Sequence, residues 1–199
     1  MLHALALVVG YAVGCLQLSP RVARRHGVDL RRVGDRNPGA WNALEHLGPR
    51  RAAPAFVLDG AKGLVAALAG LALGGWWGGW LGVLGAMLGH ALPVTARLRG
   101  GKSVMVFVGG ATALVPLAAL LCWALFAIVW ILRSFAWAAR AGTFALPLAI
   151  LLAGPRERTL PVLWLMGIIG LLFAWSRLRP RRPARASDGR AAGRSASAS

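Results

Sequence analysis

Four polar clusters interrupt an otherwise apolar chain, and each carries groups suited to holding or activating an anion. The first is Gly34-Asp35-Arg36-Asn37-Pro38-Gly39-Ala40-Trp41-Asn42, which contains the only two asparagines. A Gly/Asn/Pro run makes tight turns with exposed backbone N–H groups, and such turns form anion-binding nests. The second is Leu58-Asp59-Gly60-Ala61-Lys62-Gly63. Asp59 and Lys62, three apart, share a helix face. The third is Gly89-His90-Ala91-Leu92-Pro93-Val94, continuing into Arg97-Leu98-Arg99-Gly100-Gly101-Lys102-Ser103. Two glycines before a lysine, at the start of a new apolar helix, describe a phosphate cradle built on exposed amides and a helix dipole. The spacing is not that of a Walker A loop. The fourth is Arg177-Leu178-Arg179, which reads as interface anchoring.

Each of the first three also has a plainer reading: a surface loop, an ion pair that neutralises itself, a packed histidine. No Ser-His-Asp or Cys-His arrangement is present, and no metal-ligand spacing. Cys15 and Cys122 both lie in apolar runs. No cofactor is implied. An enzyme made of these parts lacks a covalent nucleophile. It would hold two anionic substrates at a membrane surface and let one attack the other, with proximity and charge stabilisation supplying the catalysis.

The elements that must position these clusters are membrane helices. Hydrophobic residues make up 57% of the 199 and charged residues only 15%. So few polar side chains cannot cover a soluble domain of this size. The formal charge of +17 would suggest nucleic acid in a soluble protein. Here the cations sit between apolar runs, as membrane topology dictates, and no nucleic-acid partner is implied. Of the 23 basic residues only Lys62 and Lys102 are lysines.

The apolar stretches are Leu2–Leu18, Pro54–Leu73, Trp76–Ala96, Val104–Leu132, Ala141–Gly154 and Leu160–Trp175. A span needs about 20 residues, so the fourth is long for one crossing and the fifth short for any. Most cations fall in loops 19–52 and 97–103 and in the tail after Trp175, which places all three in the cytoplasm. An even number of crossings then separates Lys102 from the tail. Either Val104–Leu132 breaks near Pro116 into two passes, giving seven crossings, or the stretch after Arg140 does not cross, giving five. The N-terminus is outside in both. The expected fold is thus an all-α polytopic helical bundle. Its membrane domain covers 1–179, followed by a disordered basic tail, 180–199, that attracts anionic membrane lipid. Glycines from Gly70 to Gly89 are expected to form a close interhelical seam, and Trp76, Trp77 and Trp80 an outer aromatic boundary.

In their order and intervals these motifs resemble the bacterial membrane-integral acyl-phosphate:glycerol-3-phosphate acyltransferases (the PlsY type), over about Gly10 to Arg179. That family carries G-S-G-N-x-G-A-T-N, then L-D-x-x-K-G, then G-H-x-x-P followed by K-G-G-K-G. The resemblance implies seven membrane helices, an outside N-terminus and a site facing the cytoplasm. It implies transfer of an acyl group from acyl phosphate to glycerol-3-phosphate or a related small anionic acceptor. It also implies site residues. Asn37, Asn42, His90 and Lys102 would take catalytic roles, and Gly34, Asp35, Arg36, Gly39, Asp59, Lys62, Arg99, Gly100, Gly101 and Ser103 would hold substrate. Asp35, Arg36, Trp41, Glu45 and Ser103 stand where the family has Ser, Gly, Thr, Arg and Gly, and its closing His/Asn/Arg motif has no counterpart near Trp175–Arg179. Asp35 and Glu45 are expected to place carboxylates beside a phosphate site. Two other readings stay open: a non-catalytic paralogue that binds lipid or a membrane partner, and a small transporter, although no repeated halves are visible. A reporter fused after Ser199 is expected on the cytoplasmic side; an extracytoplasmic signal would refute the charge argument.

Overall fold

The computed structural model describes residues 1–178, and no strand occurs among them. Arg179 and the expected basic tail lie outside the described residues. The helices are α1 (Leu2–Gly14), α2 (Leu18–Arg24), α3 (Ala40–Ala91), α4 (Val104–Leu114), α5 (Pro116–Leu132), α6 (Phe135–Ala153) and α7 (Arg156–Leu178), with a 3-10 turn at Val94–Ala96.

The 52-residue α3 is bent into three limbs. Gly48, at φ 73°, separates a short leading limb (40–47) from a middle limb (49–73). Gly74 and Gly75 reverse the chain into a last limb (76–91). Gly75 sits at φ 60°, in the left-handed region that glycine enters without steric cost. Directly behind this turn Gly70 and Gly78 touch backbone to backbone, leaving no room for a Cβ on either.

Polar contacts fix the direction of each segment. At one end of the bundle His3 Nε2 meets the Gly74 carbonyl at 3.1 Å, and at the other Lys62 Nζ donates to Leu16 O at 2.8 Å. So α1 runs against the middle limb and along the last one. Helix α4 runs against the last limb, tied by Ser103 Oγ to Met87 O (2.7 Å) and by Trp76 Nε1 to Leu114 O (3.2 Å). Trp80 Nε1 donates to Pro161 O at 2.8 Å, bringing the start of α7 to the same end as the Gly74 turn. Phe126 and Trp130 of α5 pack edge-on to Phe135 of α6, joining those helices at the opposite end. Among the described residues, seven apolar segments therefore alternate in direction: α1, two limbs of α3, and α4 to α7. The tryptophans expected at a boundary pack edge to face on one another at the Gly74 end.

The run Val104–Leu132 breaks at Val115 (φ −138°, ψ 66°), and Pro116 opens α5, where its missing N–H costs nothing. Helix α4 has 11 residues and spans only about 16 Å at 1.5 Å per residue. Helix α6 differs from expectation. It has 19 residues, starting at Phe135 instead of Ala141, and reaches about 28 Å, close to a bilayer core. The extension passes through Arg140, whose guanidinium stacks on Trp41 (4.8 Å) and Trp137 (5.5 Å), so the charge does not end the helix.

Large apolar side chains lie exposed along α5, α6 and α7, including Leu120, Ile131, Leu148, Leu152, Trp164 and Leu171. Such a surface suits lipid and not water. The main core joins the α3 hairpin to α4, with Val83, Met87, Val106, Phe107 and Leu114 fully enclosed. A satellite core of Val22, Leu30, Ala43, Leu44, Ala55 and Phe56 lies under the loop that carries the asparagines.

The glycine seam is wider than the hairpin alone. Gly10, Gly14, Gly85 and Gly89 bring α1 against the last limb, and Gly63 and Gly109 bring the middle limb against α4. A Cβ at Gly63 would overlap the Val106 carbonyl, whereas one at Gly167 would meet nothing. Overpacking costs about 1–3 kcal/mol, and more where backbone is the obstacle. Gly63→Leu is therefore expected to lower the thermal unfolding temperature of the solubilised protein sharply, and Gly167→Ala to leave it unchanged.

Candidate active site

At the Lys62 end of the bundle a cavity of about 330 Å³ gathers side chains from five parts of the chain. The asparagine loop and start of α3 supply Asp35, Asn37, Gly39 and Trp41. The rest of α3 supplies Phe56, Asp59 and His90. The next loop and α4 supply Lys102, Ser103 and Met105. Helix α6 supplies Arg140, Thr143 and Phe144, and α7 supplies Phe173. One wall is polar, and the other is largely aromatic.

The asparagine loop is held from within. Asn42 is buried, and its Nδ2 is directed at the carbonyls of Leu30 (2.9 Å), Val33 (3.2 Å) and Asn37 (3.0 Å). It shapes the loop and does not line the cavity. Gly34, at φ 54°, packs its Cα against the Asn42 and His46 side chains. Asp35 Oδ1 accepts the N–H of Asn37 at 3.0 Å, a tight Asx turn that presents Asn37 to the cavity. Gly39 caps α3.

Lys102 reaches across to this loop. Its Nζ lies 3.0 Å from Asp35 Oδ2 and 4.4 Å from the centre of the Phe173 ring. The glycines before it play a different part from the one expected. Gly100 N–H donates to Ala91 O and Gly101 N–H to His90 O, each at 3.0 Å. These amides fasten the loop to the end of α3 and are not free for an anion. A Cβ at Gly100 would strike the His90 carbonyl, and one at Gly101 the His90 ring. The free amides lie further on, at the start of α4. Ser103, its N-cap residue, makes no side-chain cap, because its hydroxyl is committed to Met87 O. The first turn of α4 thus has no side-chain capping oxygen, and Ser103, Val104 and Met105 line the cavity there, a setting that favours an oxyanion.

Beneath the cavity lies a buried polar cluster. Lys62 Nζ sits 3.0 Å from Asp59 Oδ1, 2.8 Å from His90 Nδ1 and 2.8 Å from Leu16 O. Ser19 Oγ donates to the other Asp59 oxygen. An ammonium only donates, so His90 Nδ1 accepts, and the ring proton is assigned to Nε2, on the Gly101 side. Asp59 and His90 touch the cavity; Lys62 does not.

Other expected residues separate from this group. Arg99 faces a different hollow beside α1 and α2. Arg36, at φ 59°, lies on the exposed side of the loop. Glu45 is exposed and accepts Trp41 Nε1 at 2.9 Å, so its carboxylate orients the indole and does not enter the cavity. Sequence reasoning missed Arg140, Thr143, Phe144 and Phe173. Arg140 carried a readable signal, a lone cation ahead of an apolar run; the others carried none, because aromatic residues in apolar helices are ordinary.

The family model for glycerol-3-phosphate acyltransferase matches residues 4–181. Three relatives named glycerol-3-phosphate acyltransferase are similar over most of their length. That of Roseobacter denitrificans is 39% identical, covering 87% of each chain. That of Rubrobacter xylanophilus is 35% identical over 94% of this chain and 92% of its own. That of Agrobacterium fabrum is 34% identical over 84% and 82%. Among solved structures, PlsY (YgiH), an integral membrane glycerol 3-phosphate acyltransferase in its glycerol 3-phosphate form, superposes with a TM-score of 0.69 at 28% identity, covering 88% of each chain. Its lysophosphatidic acid form gives 0.66 at 27% identity over the same coverage.

Removing one partner of a buried ion pair strands the other and costs about 3–5 kcal/mol. Lys62→Met alone is expected to destabilise the protein by that order in denaturant unfolding. Combining it with Asp59→Leu is expected to recover most of the loss. A double variant no more stable than the single one would show that the cluster is not a coupled pair.

Proposed function

The chain belongs to the glycerol-3-phosphate acyltransferase family, and from that premise we propose that it transfers an acyl group from acyl phosphate to glycerol-3-phosphate in the cavity around Lys102. The protein is an integral membrane acyltransferase of phospholipid biosynthesis. The family assignment does not favour the non-catalytic alternative. One observation carries the choice of site. The Lys102 ammonium, the uncapped start of α4 and Asn37 converge on one cavity whose other wall, from Phe56, Met105, Phe144 and Phe173, is apolar. A substrate with a phosphate at one end and an acyl chain at the other matches both walls.

In the proposed reaction a hydroxyl of glycerol-3-phosphate attacks the acyl carbonyl carbon. The bond from that carbon to the phosphate oxygen breaks, and the departing phosphate takes the hydroxyl proton. The products are lysophosphatidate and inorganic phosphate. No side-chain nucleophile is needed, which suits a cavity that holds none in the right setting. Lys102 and the α4 amides hold the acyl phosphate. Asp35 takes up part of the Lys102 charge, and Arg140 restores it as a second cation on the cavity wall. Asn37 and the Asp35 carboxylate hold the polyol. Asn42, Gly100, Gly101 and Lys62 act on substrate only by fixing the groups that touch it, whereas Asp59 and His90 also line the cavity. Phe144, 75% exposed, stands where an acyl chain would enter from lipid.

The alternating segments support the seven-crossing reading over five. With the cationic loops cytoplasmic, the N-terminus lies outside and the cavity opens at the cytoplasmic face of the cytoplasmic membrane. The short α4 is compensated by its burial against the α3 hairpin.

Reconstituted protein is expected to release phosphate from an acyl phosphate only when glycerol-3-phosphate is supplied. Loss of an ammonium that stabilises developing charge costs about 100-fold or more in kcat, so Lys102→Ala should fall to near background while keeping its unfolding temperature. Arg140→Ala should mainly raise KM for a phosphorylated substrate. Background turnover by the wild type across a panel of polyol phosphates would defeat the proposal.

A further inference from the structure

A second cavity, of about 490 Å³, shares no lining residue with the first. Five arginines converge on it from three separate stretches: Arg21 and Arg24 of α2, Arg31 of the following loop, and Arg97 and Arg99 of the loop after α3. None of the described residues that line it is acidic. Asp29, the carboxylate nearest in sequence, is turned elsewhere, pairing with Arg32 and accepting the backbone N–H of Arg31.

The hollow is built, not merely a place where cations collect. Arg31 Nη2 donates to Gln17 Oε1 at 3.3 Å and to Arg99 O at 3.4 Å, tying the three stretches together. A guanidinium needs an acceptor, so this contact fixes which way the Gln17 amide points. Its Nε2 is then left buried with no acceptor, a state that normally calls for a partner. Arg97 and Leu98 both take left-handed backbone angles, φ 53° and 59°, a strained pair that turns the loop at the rim of the hollow. Cations that only set topology work anywhere on the cytoplasmic side. They gain nothing from being crowded around one concavity, where their mutual repulsion calls for an anion. The remaining wall is apolar, made by Ala12, Cys15 and Leu16 at the end of α1, with Ala12 and Leu16 exposed.

We propose that this basin is a second anion site, separate from the acyl-transfer cavity, that binds a phosphate group. Guanidinium forks suit phosphate oxygens, and basic pockets beside membrane helices take anionic headgroups. The phosphate is carried either by a lipid headgroup, with its chain along α1, or by a soluble ion, and the two sources are separable.

Wild type, Lys102→Ala and the double variant Arg21→Gln/Arg97→Gln are placed in phosphatidylcholine nanodiscs. Each is titrated with phosphatidic acid, read by native mass spectrometry, and with inorganic phosphate, read by calorimetry. Lys102→Ala removes what the acyl-transfer cavity itself holds and is expected to keep the basin's binding, whereas the double variant loses that binding at least about 10-fold through two charge-assisted contacts. An Arg21→Lys/Arg97→Lys variant should recover part of the binding, which separates lost charge from lost fold. Acyl transfer by the double variant should stay near wild type. Retention of phosphatidic acid without saturation by phosphate assigns the headgroup; saturation by phosphate assigns the free ion. Equal binding by wild type and the double Gln variant, or complete loss of binding in Lys102→Ala alone, overturns the proposal.

Discussion

The Lys62–Asp59 ion pair is the interaction on which the rest of the site depends. A charge in an apolar helical interior is tolerated only when it is paired and its remaining donors and acceptors are filled. Here the filling is done by other elements: Leu16 after α1, Ser19 of α2, and His90 at the end of the last limb. The pair therefore crosslinks four parts of the chain at one level. His90, held through Nδ1, becomes the surface on which Gly100 and Gly101 close, and those glycines set where Lys102 emerges. The cavity's cation is thus placed by a chain of contacts that begins with a group outside the cavity.

This arrangement explains how the cavity accommodates residues that depart from the family pattern. Asp35, in place of a serine, is not a bare carboxylate, because it pairs with Lys102 and accepts the Asn37 backbone N–H. Glu45, in place of an arginine, is turned aside to hold the Trp41 indole, and Trp41 in turn carries Arg140 on its face. The cation missing from α3 thus has a counterpart on α6. The last helix lacks the family's closing polar motif and brings Phe173 over Lys102 instead, an apolar cover for the ammonium.

The segmentation of the chain was legible because membrane helices declare themselves by length and by flanking arginines, and the break at Pro116 by proline's missing N–H. The four motifs were legible because polar residues stand out against an apolar background. Their division of labour was not. Whether a glycine amide faces an anion or a carbonyl depends on what packs against it, and Gly100 and Gly101 close on Ala91 and His90 in a way that spacing does not encode. The start of α6 was misjudged because Arg140 reads as a helix end unless its aromatic partner, far away in sequence, is known.

The scarcity of lysine in this chain has a physical counterpart. Two positions out of 23 kept an ammonium where arginine is otherwise used throughout. Lys62 spends its three N–H bonds on three acceptors in three directions, the Asp59 carboxylate, the His90 ring and the Leu16 carbonyl, all within 3.0 Å. A planar guanidinium is larger, and its five N–H groups lie in one plane, so it cannot satisfy a pyramidal set of acceptors in an enclosed space. Lys102 fits its compact ammonium between the Asp35 carboxylate on one side and the Phe173 ring on the other. The five arginines of the second basin line an open, acid-free hollow, where several broad forks share one anion more readily than point charges do. Lysine remains where the geometry is enclosed and directional, and arginine serves where it is open.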